Sequence, residues 1–275
     1  MLGSPRTPAG REGLAAIESN PSGCLAAFDY DGTLAPIVDD PGSARPHPRV
    51  VTALAALARH VGGVAVVTGR PAQVAVDLGG FADVDGLEGL IVVGHYGLER
   101  WDASTGNFHA AEPPAGLDTV RAALLGMLAE LGLPDAAVED KGLSVAVHVR
   151  RLPNPEEAFA TIKAPLTELA ERNGLTTEVG RMVVEIRPTG MDKGLALRAV
   201  VDETGASSVL FAGDDLGDLA AFAEVERLRD SGFSGLLVCS GSTEVAALAE
   251  RADLIVDGPE GVASFVEDLV DVLVH

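Results

Sequence analysis

The sequence predicts an α/β protein, a doubly wound parallel sheet interrupted by an inserted α+β unit, and three patterns carry that prediction. Short, almost wholly apolar runs recur along the 275 residues: CLAAF, GGVAVVTGR, GLIVVGHYG, SSVLFAGDD, GLLVCSG and ADLIVDG. Such runs fit strands buried on both faces of a sheet. Helical patterns such as PRVVTALAALARHV and DKGLALRAVVDETG lie between several of them, and strands alternating with helices imply a parallel sheet covered on both sides. The middle of the chain alternates instead. In LSVAVHVR, Leu143, Val145, Val147 and Val149 take one face and Ser144, Ala146, His148 and Arg150 the other. MVVEIRP repeats this, with Val184 and Ile186 opposing Val183, Glu185 and Arg187, so these strands take helix cover on one face and leave the other open. LDTVRAALLGMLAELG and PEEAFATIKAPLTELAERNG supply the cover.

Loop formers, EPPAG and RPTG, flank the alternating stretch and set the expected divisions: a core over 1–111 and 189–275, and an inserted α+β cap over 112–188. The opening MLGSPRTPAGREG has no long apolar segment, and residues 1–13 read as a loose tail.

Composition narrows the function classes. Hydrophobic residues are 47% and charged ones 22%, enough apolar material for a sizeable core. The formal net charge of -21 opposes binding to nucleic acid or to an anionic membrane surface, because both draw on a surplus of Lys and Arg. No run is long enough to span a bilayer. Cys24 and Cys239 each sit inside an apolar run without ligand-like spacing, which reads as two buried free thiols and fits a cytoplasmic location. A monomer is expected. Clustered acids in so acidic a chain direct attention to a divalent cation.

Asp29 and Asp31 follow CLAAF with only Tyr30 between them. A period of two sends both carboxylates to one side of the carboxyl end of a strand, where open α/β sheets bind ligands. They repel unless a cation or proton intervenes, and the alternative is a pair of surface turn acids before Gly32. A second strand end carries Asp214, Asp215 and Asp218 after Gly213; Mg²⁺, which prefers oxygen ligands, would relieve that crowding, while Asp218 alone also suits a helix N-terminus. A third ends in Thr68, Gly69 and Arg70 before Pro71, either an ordinary turn or a phosphate seat built from the Thr68 hydroxyl and the free amides of a helix start. Lys193 opens a further helix; by itself it reads as a solvated lysine. Asp39 and Asp40 precede a Pro-Gly turn and receive no chemistry.

DYDGTL, TGR, the helix-starting Lys and GDDLGD, in that order and at those places, together resemble the haloacid dehalogenase-like superfamily, whose core is Rossmann-like. FDYDGTLAPIV, VGHYGLER, VEDKGLSVAVHVR, VVEIRPTGMDKGLAL and FAGDDLGDLAAF narrow the resemblance to the trehalose-6-phosphate phosphatase family, from about residue 24 to the C-terminal region. The resemblance implies that Asp29 attacks phosphorus, Asp31 serves as general acid and base, and Thr68 and Lys193 hold the phosphoryl group. It implies a Mg²⁺ site drawn from Asp29, Asp31, Asp214, Asp215 and Asp218. Gly69, Arg70, Gly94 and His95 are expected at the core side of the substrate, and Lys141, His148, Arg150, Glu185 and Arg187 on the cap side, although a solvated sheet face gives the same pattern. The implied reaction is hydrolysis of trehalose 6-phosphate in trehalose biosynthesis. A phosphatase for another sugar phosphate, such as sucrose phosphate, or a non-catalytic sugar-phosphate sensor, are the alternatives. Two departures stand out: Gly217 and Leu219 replace the family's usual Thr and Glu around Asp218, and Tyr96 stands where Gly usually follows the His.

Overall fold

The CLAAF run forms β1 (Cys24–Phe28) at the centre of the larger sheet of the computed structural model, which describes residues 3–38, 40–180, 182–241 and 246–274. Numbered along the chain, the other strands of that sheet are β2 (Gly63–Val67), β3 (Ile91–Gly94), β4 (Glu99–Asp102), β5 (Asn107–Ala110), β10 (Ser208–Gly213), β11 (Ser234–Ser240) and β12 (Leu254–Val256). Among the described residues their order is β12-β11-β10-β1-β2-β3-β4-β5. The pairs from β12 to β3 are parallel, and β4 runs antiparallel to β3. Asp39 lies outside the described residues; Asp40 accepts a hydrogen bond from Gly42 N (3.2 Å) in its turn.

Period-two burial on both faces explains why these strands read as continuous apolar runs. Cys24, Ala26 and Phe28 of β1 face one core together with Leu210 and Ala212 of β10, while Leu25 and Ala27 face the other with Val209 and Phe211. The first core is covered by α1 (Pro8–Ser19), α2 (Pro48–Leu57), α3 (Ala72–Gly79) and α9 (Gly258–Val274). The second is covered by α6 (Lys193–Thr204), α7 (Leu219–Asp230) and α8 (Ala246–Arg251).

The loose tail expected over residues 1–13 is corrected: Pro8 already begins α1. Thr7 caps it by accepting from Gly10 N (2.9 Å) and donates to buried Asp253, which also pairs with Arg229 and accepts from Leu237 N (2.7 Å). Gly13 lies so close to β11 that a Cβ there would come within 1.8 Å of the Gly235 carbonyl oxygen. A helix that opens on a proline and carries two glycines has little propensity of its own, so this tertiary packing holds it.

The chain divides into one unit of Met1–His109 with Asp192–His275 and a second of Ala110–Met191; the loop formers in the sequence suggested 111/112 and 188/189. The second unit is a four-stranded antiparallel sheet, ordered β6 (Ala137–Asp140), β7 (Val145–His148), β9 (Val183–Pro188) and β8 (Leu175–Gly180), with α4 (Leu117–Glu130) and α5 (Pro155–Arg172). Val145, Val147, Val149, Val184 and Ile186 meet the helices, as the alternation requires. The opposite face is less open than expected: Ser144, Ala146, Glu185 and Arg187 are buried. No helix among the described residues is long and apolar enough to cross a membrane.

Candidate active site

The order β10-β1-β2 brings three strand ends side by side, and each ends in a polar residue: Asp214, Asp29 and Thr68. Asp29 follows β1 directly and donates its amide to Ala212 O (2.8 Å); its carboxylate is buried and lies 2.7 Å from Lys193 Nζ. Lys193 is only 4% exposed, so it is not the solvated lysine its position alone suggested. Asp192 caps α6 by accepting from Leu195 N (2.8 Å), and Gly194 lets that helix lie where a Cβ would stand 2.4 Å from Ala220 O. The ammonium thereby reaches a second carboxylate, Asp218, at 2.8 Å.

Asp218 uses its other oxygen to accept from Asp214 N (2.9 Å) and Asp215 N (3.1 Å), so the segment after β10 wraps around it. Two glycines make room. Gly213 has Asp218 where a Cβ would be, and Gly32, at φ 75°, has Asp214 Oδ2 within 2.0 Å of the same point. Ser240, at the end of β11, donates to Gly32 O (2.7 Å) and ties that turn to the strand.

Asp29, Asp214 and Asp218 each present an oxygen within 4.8 Å of the others. Burial first, then mutual repulsion, pushes Asp29 well above the usual carboxylate range, Asp214 up to about 8 and Asp218 up to about 6, with Lys193 holding the last down. Burial would lower the Lys193 ammonium, but Asp218 and Asp29 more than offset it and keep it protonated. Three buried acids against one cation leave negative charge uncompensated, and Asp214 Oδ1 is buried without a hydrogen-bond partner among the described residues. Hard oxygen donors converging on an orphaned acceptor fit a divalent cation such as Mg²⁺. Of the five acids expected at a metal, Asp31 and Asp215 stand outside this group. Arg70 takes both Asp31 oxygens, Nε to Oδ2 and Nη2 to Oδ1, each at 2.6 Å, and Asp215 caps the short turn Leu216–Asp218.

The turn after β2 is similarly occupied. Thr68 Oγ1 accepts from Arg70 N (3.1 Å), and the first amide of α3, Ala72 N, donates to Glu99 Oε2 at 2.6 Å. One amide of the helix start expected as a phosphate seat is therefore taken by the chain's own carboxylate. Gly94 and His95 pack on this turn: His95 N donates to Arg70 O (2.9 Å), Tyr96 N to Thr68 O (3.2 Å), and a Cβ on Gly94 would meet Ala72 N at 2.3 Å. Buried His95 lies 3.6 Å from Glu99 through Nε2. Tyr30 lies under Arg70, 5.3 Å from ring centroid to guanidinium, and anchors its hydroxyl to Ala44 O (3.0 Å). Glu99, Tyr30 and Ser240 were not singled out in the sequence, since each acts through a neighbour that only the fold supplies.

In the second unit, Glu185 is gripped by Lys141 Nζ (2.6 Å) and Ser144 Oγ (2.5 Å). His148 Nε2 meets Glu139 Oε2 at 2.8 Å, and Arg187 pairs with Glu178 at 2.7 Å while donating to Met191 O. Arg150 is exposed beyond β7. The polar groups here are thus paired with one another, Lys141 with Glu185, His148 with Glu139 and Arg187 with Glu178.

Comparison with known proteins gives these groups a context. The sequence model of the family described as trehalose-phosphatase matches residues 27–254. A trehalose-phosphate phosphatase of Mycobacterium leprae is 34% identical over 256 residues, 88% of this chain and 56% of that protein. One from Mycobacterium avium is 33% identical over 254 residues, 90% of this chain and 62% of that protein. The chain thus spans less than two thirds of the length of these curated relatives. Among solved structures, the C-terminal domain of C. albicans trehalose-6-phosphate phosphatase superposes with a TM-score of 0.78 at 19% identity, covering 98% of this chain and 99% of that one. A haloacid dehalogenase-like hydrolase from Bacteroides thetaiotaomicron does so at 0.60 and 16%, covering 89% and 98%. These likenesses show the haloacid dehalogenase-like fold.

Proposed function

This chain belongs to the trehalose-phosphatase family, and on that premise we propose that it hydrolyses trehalose 6-phosphate to trehalose and inorganic phosphate with the aid of Mg²⁺. The observation that carries the reading is the buried Asp29 carboxylate, ion-paired with Lys193 at the carboxyl end of the central strand. Such a carboxylate is held still, dry and beside a fixed cation, which is what attack on an anionic phosphorus centre demands. Oxygens of Asp29, Asp214 and Asp218 would hold the Mg²⁺, whose charge offsets the repulsion between carboxylate and phosphate.

In this reading an Asp29 oxygen forms a bond to phosphorus as the bond to the sugar oxygen breaks. Asp31, once released by Arg70 and after taking up a proton from solvent, gives that proton to the departing alkoxide. Water then attacks the aspartyl phosphate, Asp31 takes the proton from that water, and phosphate leaves Asp29 as a free carboxylate. Lys193 balances charge on the phosphoryl oxygens throughout, and Thr68, Gly69 and Arg70 border the same place. The polar face bearing Lys141, His148, Arg150, Glu185 and Arg187 is the proposed recognition surface for sugar hydroxyls. A cytoplasmic, monomeric enzyme acting on a small sugar phosphate belongs to the same proposal; the two free buried thiols support the location.

The test is phosphate release from trehalose 6-phosphate, alongside a panel that includes sucrose 6-phosphate. The wild-type protein is expected to release phosphate with Mg²⁺ and to stop on adding EDTA, and Asp29→Asn is expected to lose at least about 10³-fold in kcat while keeping its fold. Undiminished release by Asp29→Asn sinks the mechanism, and a higher kcat/KM for another sugar phosphate reassigns the substrate.

A further inference from the structure

His95 (φ 46°) and Tyr96 (φ 58°) are consecutive non-glycine residues in the left-handed region of backbone space, where glycine is the ordinary occupant because a side chain crowds the following carbonyl. Strain persists only where surrounding structure imposes it, and it gathers at functional sites. The contacts here show what it achieves. With its amide tied to Thr68 O and its neighbour's amide to Arg70 O, Tyr96 turns its ring onto Gly69: a Cβ on Gly69 would lie 2.7 Å from Tyr96 Oη and 2.8 Å from Cζ. Gly69 stands between Thr68 and Arg70, and Arg70 is the residue that grips Asp31. The ring therefore bears on the middle of the turn whose two ends carry polar groups of the site. A relaxed backbone at residue 96 would point the side chain elsewhere.

We propose that Tyr96 is a positioning residue of the phosphoryl site: its ring pins Gly69 and thereby holds Thr68 and Arg70 in the orientation in which they meet the phosphoryl group and Asp31. The proposal rests on the phosphatase reading for the identity of the group being held. The strained backbone is the cost of placing a rigid aromatic plate against a glycine that has no side chain of its own to lock the turn.

Y96G and Y96F separate this role from a merely structural one. Glycine takes φ 58° without strain, so Y96G is expected to melt no lower than wild type, yet its kcat/KM for trehalose 6-phosphate falls about tenfold, chiefly through KM. Y96F, which keeps the ring, recovers most of that loss. In parallel, calorimetry with orthophosphate on the Mg²⁺-loaded proteins is expected to show about tenfold weaker binding for Y96G, independent of turnover. Wild-type KM and phosphate affinity in Y96G overturn the proposal, as do losses that merely track a lowered melting temperature. If wild type binds orthophosphate without turning over trehalose 6-phosphate, and Y96G weakens that binding, the substrate reading fails and the positioning role stands. A wild-type protein that binds no orthophosphate overturns both.

Discussion

Gly32 illustrates how single residues set this site. Its φ of 75° and the Asp214 oxygen standing where a Cβ would be mean that no side chain fits there, and Ser240 Oγ donates to its carbonyl. Ser240→Ala leaves a buried carbonyl with one partner fewer, a loss of about 1–3 kcal/mol. At about 2–4 °C per kcal/mol for a domain of this size, a drop of at least about 2 °C in melting temperature is expected, together with weaker Mg²⁺ stabilisation as Gly32 and Asp214 shift. A melt identical to wild type, with and without Mg²⁺, would show that the hydroxyl holds nothing. The same reasoning marks what residue types alone conceal. DYDG and GDDLGD announce an acidic site by their positions after apolar runs, but the sequence does not say that Asp31 is held by Arg70 or that Asp215 caps a turn. Those roles depend on side chains 39 residues away in one case and on local turn geometry in the other.

At the scale of elements, the strands that are buried on both faces were legible because such burial admits only apolar residues. β4 (ERWD) and β5 (NFHA) were not, since their sequences are mixed and they exist through pairing at the edge of the sheet, a long-range effect that local pattern does not carry. With β4 went Glu99, the carboxylate that accepts from the first amide of α3; its only local signal is its place four residues after His95. α1 was missed for the same reason: its helicity comes from Asp253, Arg229 and the Gly235 backbone. Removing residues 1–13 is therefore expected to strip cover from buried Asp253 and lower the melting temperature, and Gly13→Val, forced against the Gly235 carbonyl, is expected to do so by at least about 5 °C. Thermal melts of both variants matching the full chain would return this segment to the status of a tail.

For the whole molecule, the buried acids tie stability to pH and to metal. The folded-state values of Asp214, about 8, and Asp218, about 6, lie above the model-peptide value of 3.8, and Asp29 is raised as well. An unfolded chain gives up these protons near pH 4 while the folded one retains them, so this contribution to stability is full below about pH 4 and is lost as pH rises through about 6 and about 8. Metal-free protein is expected to melt progressively lower across that window, and saturating Mg²⁺, which favours the ionised acids, to restore stability most at its upper end. Asp214→Asn removes one repelling charge; its metal-free form is expected to melt higher than wild type at pH 8 and to gain less from Mg²⁺. A pH-independent melt in EDTA, with the same Mg²⁺ increment in both proteins, contradicts this account. The formal charge of -21 adds general repulsion of the same sign, but salt screens that part, whereas the buried cluster answers chiefly to the cation.

The Arg70–Asp31 pair has a consequence for timing. A carboxylate gripped at both oxygens by a guanidinium is a poor partner for a passing water molecule, so the one group assigned to move protons is parked while no ester is present. On the proposed reading, an anionic substrate would compete for the same guanidinium, and its arrival would be the event that frees Asp31. The engine idles with its clutch held in, and the cargo itself engages the drive.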